Sequence, residues 1–274
     1  MRKIVLLLFL GANMLAIRAS VLGALDNPRS AAMGGSYVVF ANNVYAYANQ
    51  ASLGYSDRSV LSLSYQNRFL VQELSLVSMR FSTPLQRLNV GISSSFFGFS
   101  QYNEFSVGVH VSRVLSPSFS VGAQVDYVSV LLSPDEGSVG AFVPQLGMIM
   151  KATPSIVLGV HLYNLTLSNL QTAYNTEYLH SSITAGIEYV VDKNLLLVGQ
   201  LSKPLRSDAI VSAGIEYAVV PDLQLRAGFR AQEQVEPSFG LGLKIDVLQF
   251  DLSMQYHSLL GVLISSGVSY SFRK

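Results

Sequence analysis

Residues 223–232 read LQLRAGFRAQ, and apolar and polar side chains alternate along this stretch. Leucine, alanine and phenylalanine hold the odd positions, while glutamine, arginine and glycine hold the even ones. Because successive side chains of a β-strand point to opposite faces, the stretch predicts a strand with one apolar and one polar face. Whether the apolar face packs in a core or faces lipid depends on the rest of the chain.

The composition is that of a membrane protein, yet the apolar residues are not gathered into helices. Of the 274 residues 50% are hydrophobic and 13% are charged, against about 25% charged in soluble domains. The longest continuous apolar run is residues 4–10, and no later run approaches the roughly 18 residues of a membrane-spanning helix. Two classes remain, a very apolar β-domain and a transmembrane β-barrel. The net charge of +1 gives no electrostatic reason to expect nucleic acid as a partner.

The start of the chain predicts export. Met1 to Lys3 form a short basic start, residues 4–10 form an apolar core, and Ala19 offers a small residue for cleavage. We therefore predict a signal peptide over residues 1–19, with a cut after Gly23 and an uncleaved anchor as alternatives. The chain has no cysteine, which excludes disulfides and a lipid-modified N-terminal cysteine.

Alternation continues from Ser59 to the end in 14 segments, each close to the roughly 9 to 11 residues that a tilted strand needs to cross a bilayer. The sequence AGIEY at 185–189 recurs unchanged 28 residues later at 213–217, which indicates a repeated hairpin and a meander. Tight turns, such as Thr83-Pro84 and Pro221-Asp222, alternate with longer polar connections. This is the pattern of outer-membrane barrels, in which the short turns lie on the periplasmic side.

These patterns predict an all-β fold, an antiparallel up-and-down transmembrane β-barrel of about 14 strands over residues 58–274. Only a closed barrel places strands in lipid without unpaired edges, so the apolar faces point to lipid and the polar faces line the lumen. A soluble β-sandwich is the alternative. The predicted location is the bacterial outer membrane, with outer-membrane lipid as a partner. The predicted polar residues of the lumen are Glu188, Glu216, Arg226, Arg230, Lys244 and Asp251. A hairpin that turns at Pro221 places Glu216 opposite Arg226, which predicts an inward ion pair.

Residues 20–57 depart from the strand pattern and are predicted to form an N-terminal plug in the lumen. Small residues dominate this stretch, and Gly34-Gly35 permits positive φ and close approach to the wall. Arg29 is predicted to pair with an inward carboxylate, either Glu188 or Glu216. Inward glycines of the strands remove bulk from the wall, as expected where another backbone approaches it.

The same stretch resembles the N-terminal signature of the PorV/PorQ family of type IX secretion outer-membrane proteins, which are FadL-like barrels. The resemblance rests on RSAAMGG at 29–35, on Asn42-Asn43 where the family has an acidic pair, and on NQASL at 49–53. It implies a luminal plug whose motif residues are Arg29, Ser30, Met33, Gly34, Gly35, Asn42, Asn43, Asn49 and Leu53.

The resemblance also implies a function. It predicts a non-enzymatic accessory or docking subunit of a protein secretion or assembly complex, with other outer-membrane secretion or assembly proteins as partners. A FadL-like channel for small hydrophobic compounds is the alternative, and it requires an apolar internal pocket. The predicted inner wall is mostly Gly, Ser, Gln and charged residues, which argues against such a pocket.

An outer-membrane enzyme is the third class considered. The four histidines, at 110, 161, 180 and 257, each stand singly among serine-rich strands, without a spacing diagnostic of Ser–His catalysis. The sequence also lacks a metal-binding cluster, a phosphate-binding loop and paired catalytic carboxylates. We therefore predict that the protein is not an enzyme and needs no cofactor.

Overall fold

The computed structural model describes residues 27–40, 49–133, 137–171 and 176–272. Fourteen strands form one closed antiparallel barrel, in which strands that are neighbours along the chain pair and the last strand closes on the first. This confirms the predicted fold class. The barrel strands are β1 (Val60–Arg68), β2 (Val71–Leu85), β3 (Leu88–Gly98), β4 (Asn103–Ser116), β5 (Phe119–Ser133), β6 (Gly137–Lys151), β7 (Ile156–Tyr163), β10 (Ser182–Val190), β11 (Leu195–Pro204), β12 (Ile210–Val220), β13 (Leu223–Ala231), β14 (Val235–Ile245), β15 (Leu248–His257) and β16 (Gly261–Ser271).

Two short strands and two short helices complete the described structure. Strands β8 (Asn169–Gln171) and β9 (Thr176–Tyr178) pair only with each other, within the connection between β7 and β10. Helix α1 (Pro28–Ala32) begins at Asn27, whose side chain accepts hydrogen bonds from two backbone N–H groups of the first turn. A 3-10 helix covers Gln50–Tyr55. In the described part of the chain, helices fall short of the length and apolarity needed to span a membrane.

The barrel is apolar on its outer face. On β13, Leu225 and Phe229 are 44% and 41% exposed, whereas Arg226 between them is 5% exposed. The same alternation repeats around the wall, because each register in the closed ladder keeps inward residues opposite inward residues. The stretch 223–232 therefore turns its leucines and phenylalanine outward and its polar side chains toward the lumen.

The connections differ in length between the two ends of the barrel, and most of the difference comes from a single long connection. At the end that we call the short-turn end, the connections are 86–87, 117–118, 152–155, 191–194, 221–222 and 246–247. At the opposite, long-connection end they are 69–70, 99–102, 134–136, 164–181, 205–209, 232–234 and 258–260. The long-connection end is thus dominated by 164–181, which contains the β8–β9 hairpin.

The prediction of a turn at Thr83-Pro84 is wrong, because β2 continues to Leu85 and the turn lies at 86–87. Pro84 pairs in register with Asn89 of β3. On the other side of β2 the pairing with β1 ends at Ser82. Pro84 therefore occupies an edge position, where a strand tolerates a residue without an N–H group.

Residues 27–40 and 49–57 lie inside the barrel, nearer the short-turn end, and we call them the plug. Helix α1 contacts the inner faces of β13 to β16, while the 3-10 helix contacts β3 to β6 on the opposite side. Between them Val38 and Val39 are fully buried, and Val38 lies against the inner glycines of β7 and β10. The plug therefore spans the lumen from one wall to the other.

Candidate functional site

A group of buried charged side chains joins the plug to the wall, and we call Arg29, Glu216, Arg226 and Asp251 the charged cluster. Arg29 donates from Nε and Nη2 to the two carboxylate oxygens of Glu216, at 2.7 Å each. Arg226 donates from Nε to the same carboxylate at 2.7 Å and from Nη1 to Asp251 at 2.5 Å. The predicted Glu216–Arg226 pair is confirmed, and Arg29 pairs with Glu216 rather than with Glu188.

The charged cluster is balanced, with two guanidinium groups facing two carboxylates. Burial by itself would lower the pKa of Arg29, but the adjacent Glu216 carboxylate raises this pKa above its ordinary value. Arg29 also lies over the ring of Phe40, with 4.4 Å between the guanidinium carbon and the ring centroid. Arg29 is therefore held in its charged form by contacts with both the wall and the plug.

Glycines make the contact between plug and wall close. Gly34 has φ +69°, and a Cβ there would lie 2.0 Å from the carbonyl oxygen of Phe229. On the wall, a Cβ at Gly228 would lie 2.5 Å from the backbone nitrogen of Gly34, and one at Gly214 would lie 2.4 Å from the Cβ of Met33. The backbones of plug and wall therefore meet without side chains between them, which explains why the plug motif needs glycine here.

A network of uncharged polar groups fixes the opposite part of the plug. Gln50 donates from its amide to the Oε1 atoms of Gln124 and Gln145, at 2.9 and 2.8 Å. Both of these wall residues in turn donate to the Asp126 carboxylate. Asn49 donates to the carbonyl oxygen of Val38 at 2.8 Å and so ties two segments of the plug together. The network replaces the water that these amides would bind outside the lumen.

His161 continues this network toward β10. Its Nε2 lies 3.1 Å from Oε1 of Gln145, and its Nδ1 lies 3.2 Å from the hydroxyl of Tyr37. That hydroxyl donates to Thr184 at 3.1 Å. His161 is thus a buried link in a plug–wall network.

The inner wall becomes apolar toward the long-connection end. Val128, Val130 and Val143 of β5 and β6 pack there with Leu170 and Leu179 of the connection 164–181. Leu76 and Phe97 of β2 and β3 pack beside them, and Tyr102 contacts both groups. We call these seven buried side chains the apolar lumen cluster.

The apolar lumen cluster was missed in the sequence analysis, which predicted a mostly polar inner wall. The sequence did indicate part of this cluster. Residues 127–131 read YVSVL and residues 139–143 read VGAFV, so these short stretches of β5 and β6 carry apolar side chains on both faces. Leu170 and Leu179 carry no such signal, since their contact with the wall depends on how a long connection folds. Polar groups flank the cluster, and Glu104 accepts a 2.9 Å hydrogen bond from the Tyr102 hydroxyl.

The remaining predicted residues occupy different levels of the lumen. Glu188 is 3% exposed on β10. Arg230 is half-buried on the inner side of β13, in register with Ser212 and Glu236. Lys244 is exposed at the end of β14 and lies apart from the charged cluster. The described members of the plug motif are all buried, and they are Arg29, Ser30, Met33, Gly34, Gly35, Asn49 and Leu53. Asn42 and Asn43 lie outside the described residues.

An apolar outer face, a closed ring of 14 strands and a lumen crossed by a folded N-terminal segment define a plugged β-barrel of the outer-membrane type. The barrel has a FadL-like fold. It is similar to the monoaromatic hydrocarbon channel CymD, with a TM-score of 0.69 and 14% identity over 93% of this chain and 99% of that one.

Two further solved structures share this fold. The toluene transporter TodX of Pseudomonas putida aligns with a TM-score of 0.68 and 14% identity, over 91% of this chain and 99% of TodX. A FadL homologue of Pseudomonas aeruginosa aligns with a TM-score of 0.64 and 12% identity, over 91% and 98%. Neither a protein-family model nor a curated protein matches the sequence. By their names CymD is a channel and TodX is a transporter.

Proposed function

We propose that this protein is a channel for small hydrophobic compounds in the bacterial outer membrane. The FadL-like fold supports the proposal, and the apolar lumen cluster is the observation that carries it. This cluster supplies the apolar internal surface that such a channel requires. The function is thus the alternative that the sequence left open, rather than the secretion role that the N-terminal motif implies.

The apolar lumen cluster favours apolar solutes for a simple physical reason. An apolar solute that enters between Leu170 and Val143 loses contact with water, which is favourable by about 25 cal/mol for each Å² of apolar surface. A polar solute at the same place gives up its hydration without finding hydrogen-bonding partners. The cluster therefore selects solutes by desolvation rather than by a particular hydrogen bond.

Passage requires two rearrangements. In the structure the side chains of Leu170 and Leu179 pack directly on those of β5 and β6, so the apolar lumen cluster is closed. Nearer the short-turn end the charged cluster and the Gln50 network attach the plug to both sides of the wall. Transport therefore needs the connection to separate from the wall and the plug contacts to loosen.

Uptake of a radiolabelled aromatic hydrocarbon tests the proposal. The full chain is expressed in an outer membrane that lacks other channels for hydrophobic compounds, and entry of toluene into cells is followed over time. We expect faster uptake than in cells without the barrel. Val143→Thr keeps the shape of the side chain but adds a hydroxyl to the apolar lumen cluster, so it is expected to slow uptake.

Val211→Thr is the matched control, because Val211 is 48% exposed on the outer face of β12 and lies away from the lumen. Its uptake should equal that of the unchanged protein. Heat-modifiable electrophoretic mobility shows that each variant is folded. If the folded barrel admits toluene no faster than cells without it, the channel function is refuted.

We also propose docking to a secretion or assembly complex as a second candidate, supported by the resemblance of residues 29–35 and 49–53 to the PorV/PorQ signature. The support is limited to this motif, and Arg29 and Gly34 of the motif already have contacts inside the same barrel. Crosslinking in native outer membrane, followed by purification of the barrel, tests it. Recovery of the barrel without a secretion or assembly protein would refute the docking function.

A further inference from the structure

An apolar groove lies on the outer, lipid-facing side of the wall, across β2 to β5. Its volume is about 670 Å³. Ile92, Val109 and Val111 line it with outward-facing side chains that are 48%, 61% and 40% exposed. Ala123 contributes a small side chain between larger neighbours. The groove belongs to the face that the alternation pattern turns to lipid, so its surface suits a hydrocarbon group.

Two arginines stand where this groove meets the short-turn end. Val90 and Val111 pair in the groove, and the β3–β4 ladder ends one pair further on, at Asn89 and Ser112. The next residue of β4 is Arg113, which is exposed on the outer side of the strand. Arg87 is exposed in the adjoining turn 86–87. Both guanidinium groups therefore belong to the rim directly beyond the apolar groove.

The charge of this rim differs from that of the rest of the short-turn end. The turns 86–87, 117–118 and 152–155, all within the described ranges, contain Arg87 and are free of acidic residues. The turns at the end of the other strands carry Asp192, Asp222 and Asp246. The groove thus opens toward a locally basic rim, where an anionic group is favoured.

We propose that the groove and the two arginines form a binding site for an anionic phospholipid. The acyl chains lie along Ile92, Val109 and Ala123, and the phosphate lies between Arg87 and Arg113. A guanidinium group matches phosphate oxygens with paired N–H donors, and burial of methylene groups adds to the affinity. The site goes beyond the proposed transport function, because it depends only on the placement of the barrel in a membrane.

Native mass spectrometry of the full chain in a mild detergent tests the site. Phosphatidylglycerol and phosphatidylethanolamine with the same acyl chains are added in parallel, and the lipid-bound fractions are compared. We expect phosphatidylglycerol to be retained preferentially. Loss of both charges in R87Q/R113Q is expected to weaken its binding by roughly thirtyfold. Ala123→Phe fills the groove while it leaves the arginines in place, and it too should weaken binding.

The matched control is K193Q/K244Q, which removes two positive charges from the short-turn end away from the groove and should leave binding unchanged. Heat-modifiable mobility again shows that the variants are folded. Equal retention of the two lipids, or unchanged binding in R87Q/R113Q, would overturn the proposal. So would full displacement of the lipid by inorganic phosphate, which would identify an ion site alone, or a dimer of the chain that Ala123→Phe abolishes.

Discussion

Arg29 and Glu216 lie 187 residues apart in the sequence, and two hydrogen bonds of 2.7 Å join them inside the barrel. Glu216 also accepts from Arg226, so one carboxylate serves a guanidinium group of the plug and one of the wall. Because both arginines are buried, the negative charge of this carboxylate offsets the cost of removing their positive charges from water. Attachment of the plug therefore depends on this acidic residue more than on any single contact of the cluster.

Replacement of Glu216 by glutamine should lower the free energy of unfolding by about 3–5 kcal/mol, the usual cost of leaving a buried charge without its partner. Arg29→Met should cost less, since Glu216 keeps its bond to Arg226. Urea titration of the barrel in phospholipid vesicles measures both. Glu236→Gln is the control, because Glu236 faces His257 at 3.6 Å in a partly exposed pair worth no more than about 1 kcal/mol. Equal losses in E216Q and E236Q would contradict the prediction.

The close contact at Gly228 should not tolerate even one methyl group. A Cβ there meets backbone atoms of Met33 and Gly34 at 2.5 Å, so Gly228→Ala forces the plug away from the wall at a cost of about 1–3 kcal/mol. The expected result is a less stable barrel with a plug more easily cut by protease. Gly199→Ala is the matched change, since a Cβ there makes ordinary van der Waals contact, at 3.6 Å, with the Ile187 side chain. If the two variants behave alike, the plug does not rest on the wall as described.

The outward orientation of the apolar faces predicts a strong effect of charge at a lipid-facing position. Leu241 is 48% exposed near the middle of β14. Leu241→Arg should destabilise the barrel in vesicles by about 2–4 kcal/mol, because its guanidinium group lies at membrane depth. Leu259, 78% exposed in the connection 258–260, is the control, and Leu259→Arg should be nearly neutral. A tolerated arginine at 241 would place this face in water and refute the orientation.

His180 predicts a pH dependence from the connection 164–181. Burial, and then the nearby positive charge of Arg230, lower the pKa of His180 below its ordinary value. The unfolded chain therefore takes up the proton first, so the unchanged protein should lose stability as the pH falls below about 6.5, whereas His180→Gln lacks this loss. The measurement is the difference in unfolding free energy between the two proteins from pH 8 to pH 5. A difference that stays constant with pH would show that His180 titrates normally.

The strands could be predicted because apolar and polar residues alternate with a period of two in every segment. In 223–232 the polarity of each residue indicates which face of the strand it occupies. The structure places Arg226 and Leu225 on the predicted sides. The Glu216–Arg226 pair was predictable for the same reason, since the turn at 221–222 sets the register of the hairpin. The turn at 86–87 was not predictable from Pro84, because the edge position of that proline depends on where β1 ends.

The sequence by itself favoured a closed barrel with its apolar faces outward and most of its polar side chains within, because alternation marks every strand and unpaired strand edges are unfavourable in lipid. Only the tertiary structure decided which carboxylate Arg29 meets and that Leu170 and Leu179 complete an apolar surface inside the lumen. Both contacts join segments that are far apart in the chain. Local periodicity carries no information about such contacts, since they depend on how the plug and one long connection fold back into the space that the barrel encloses.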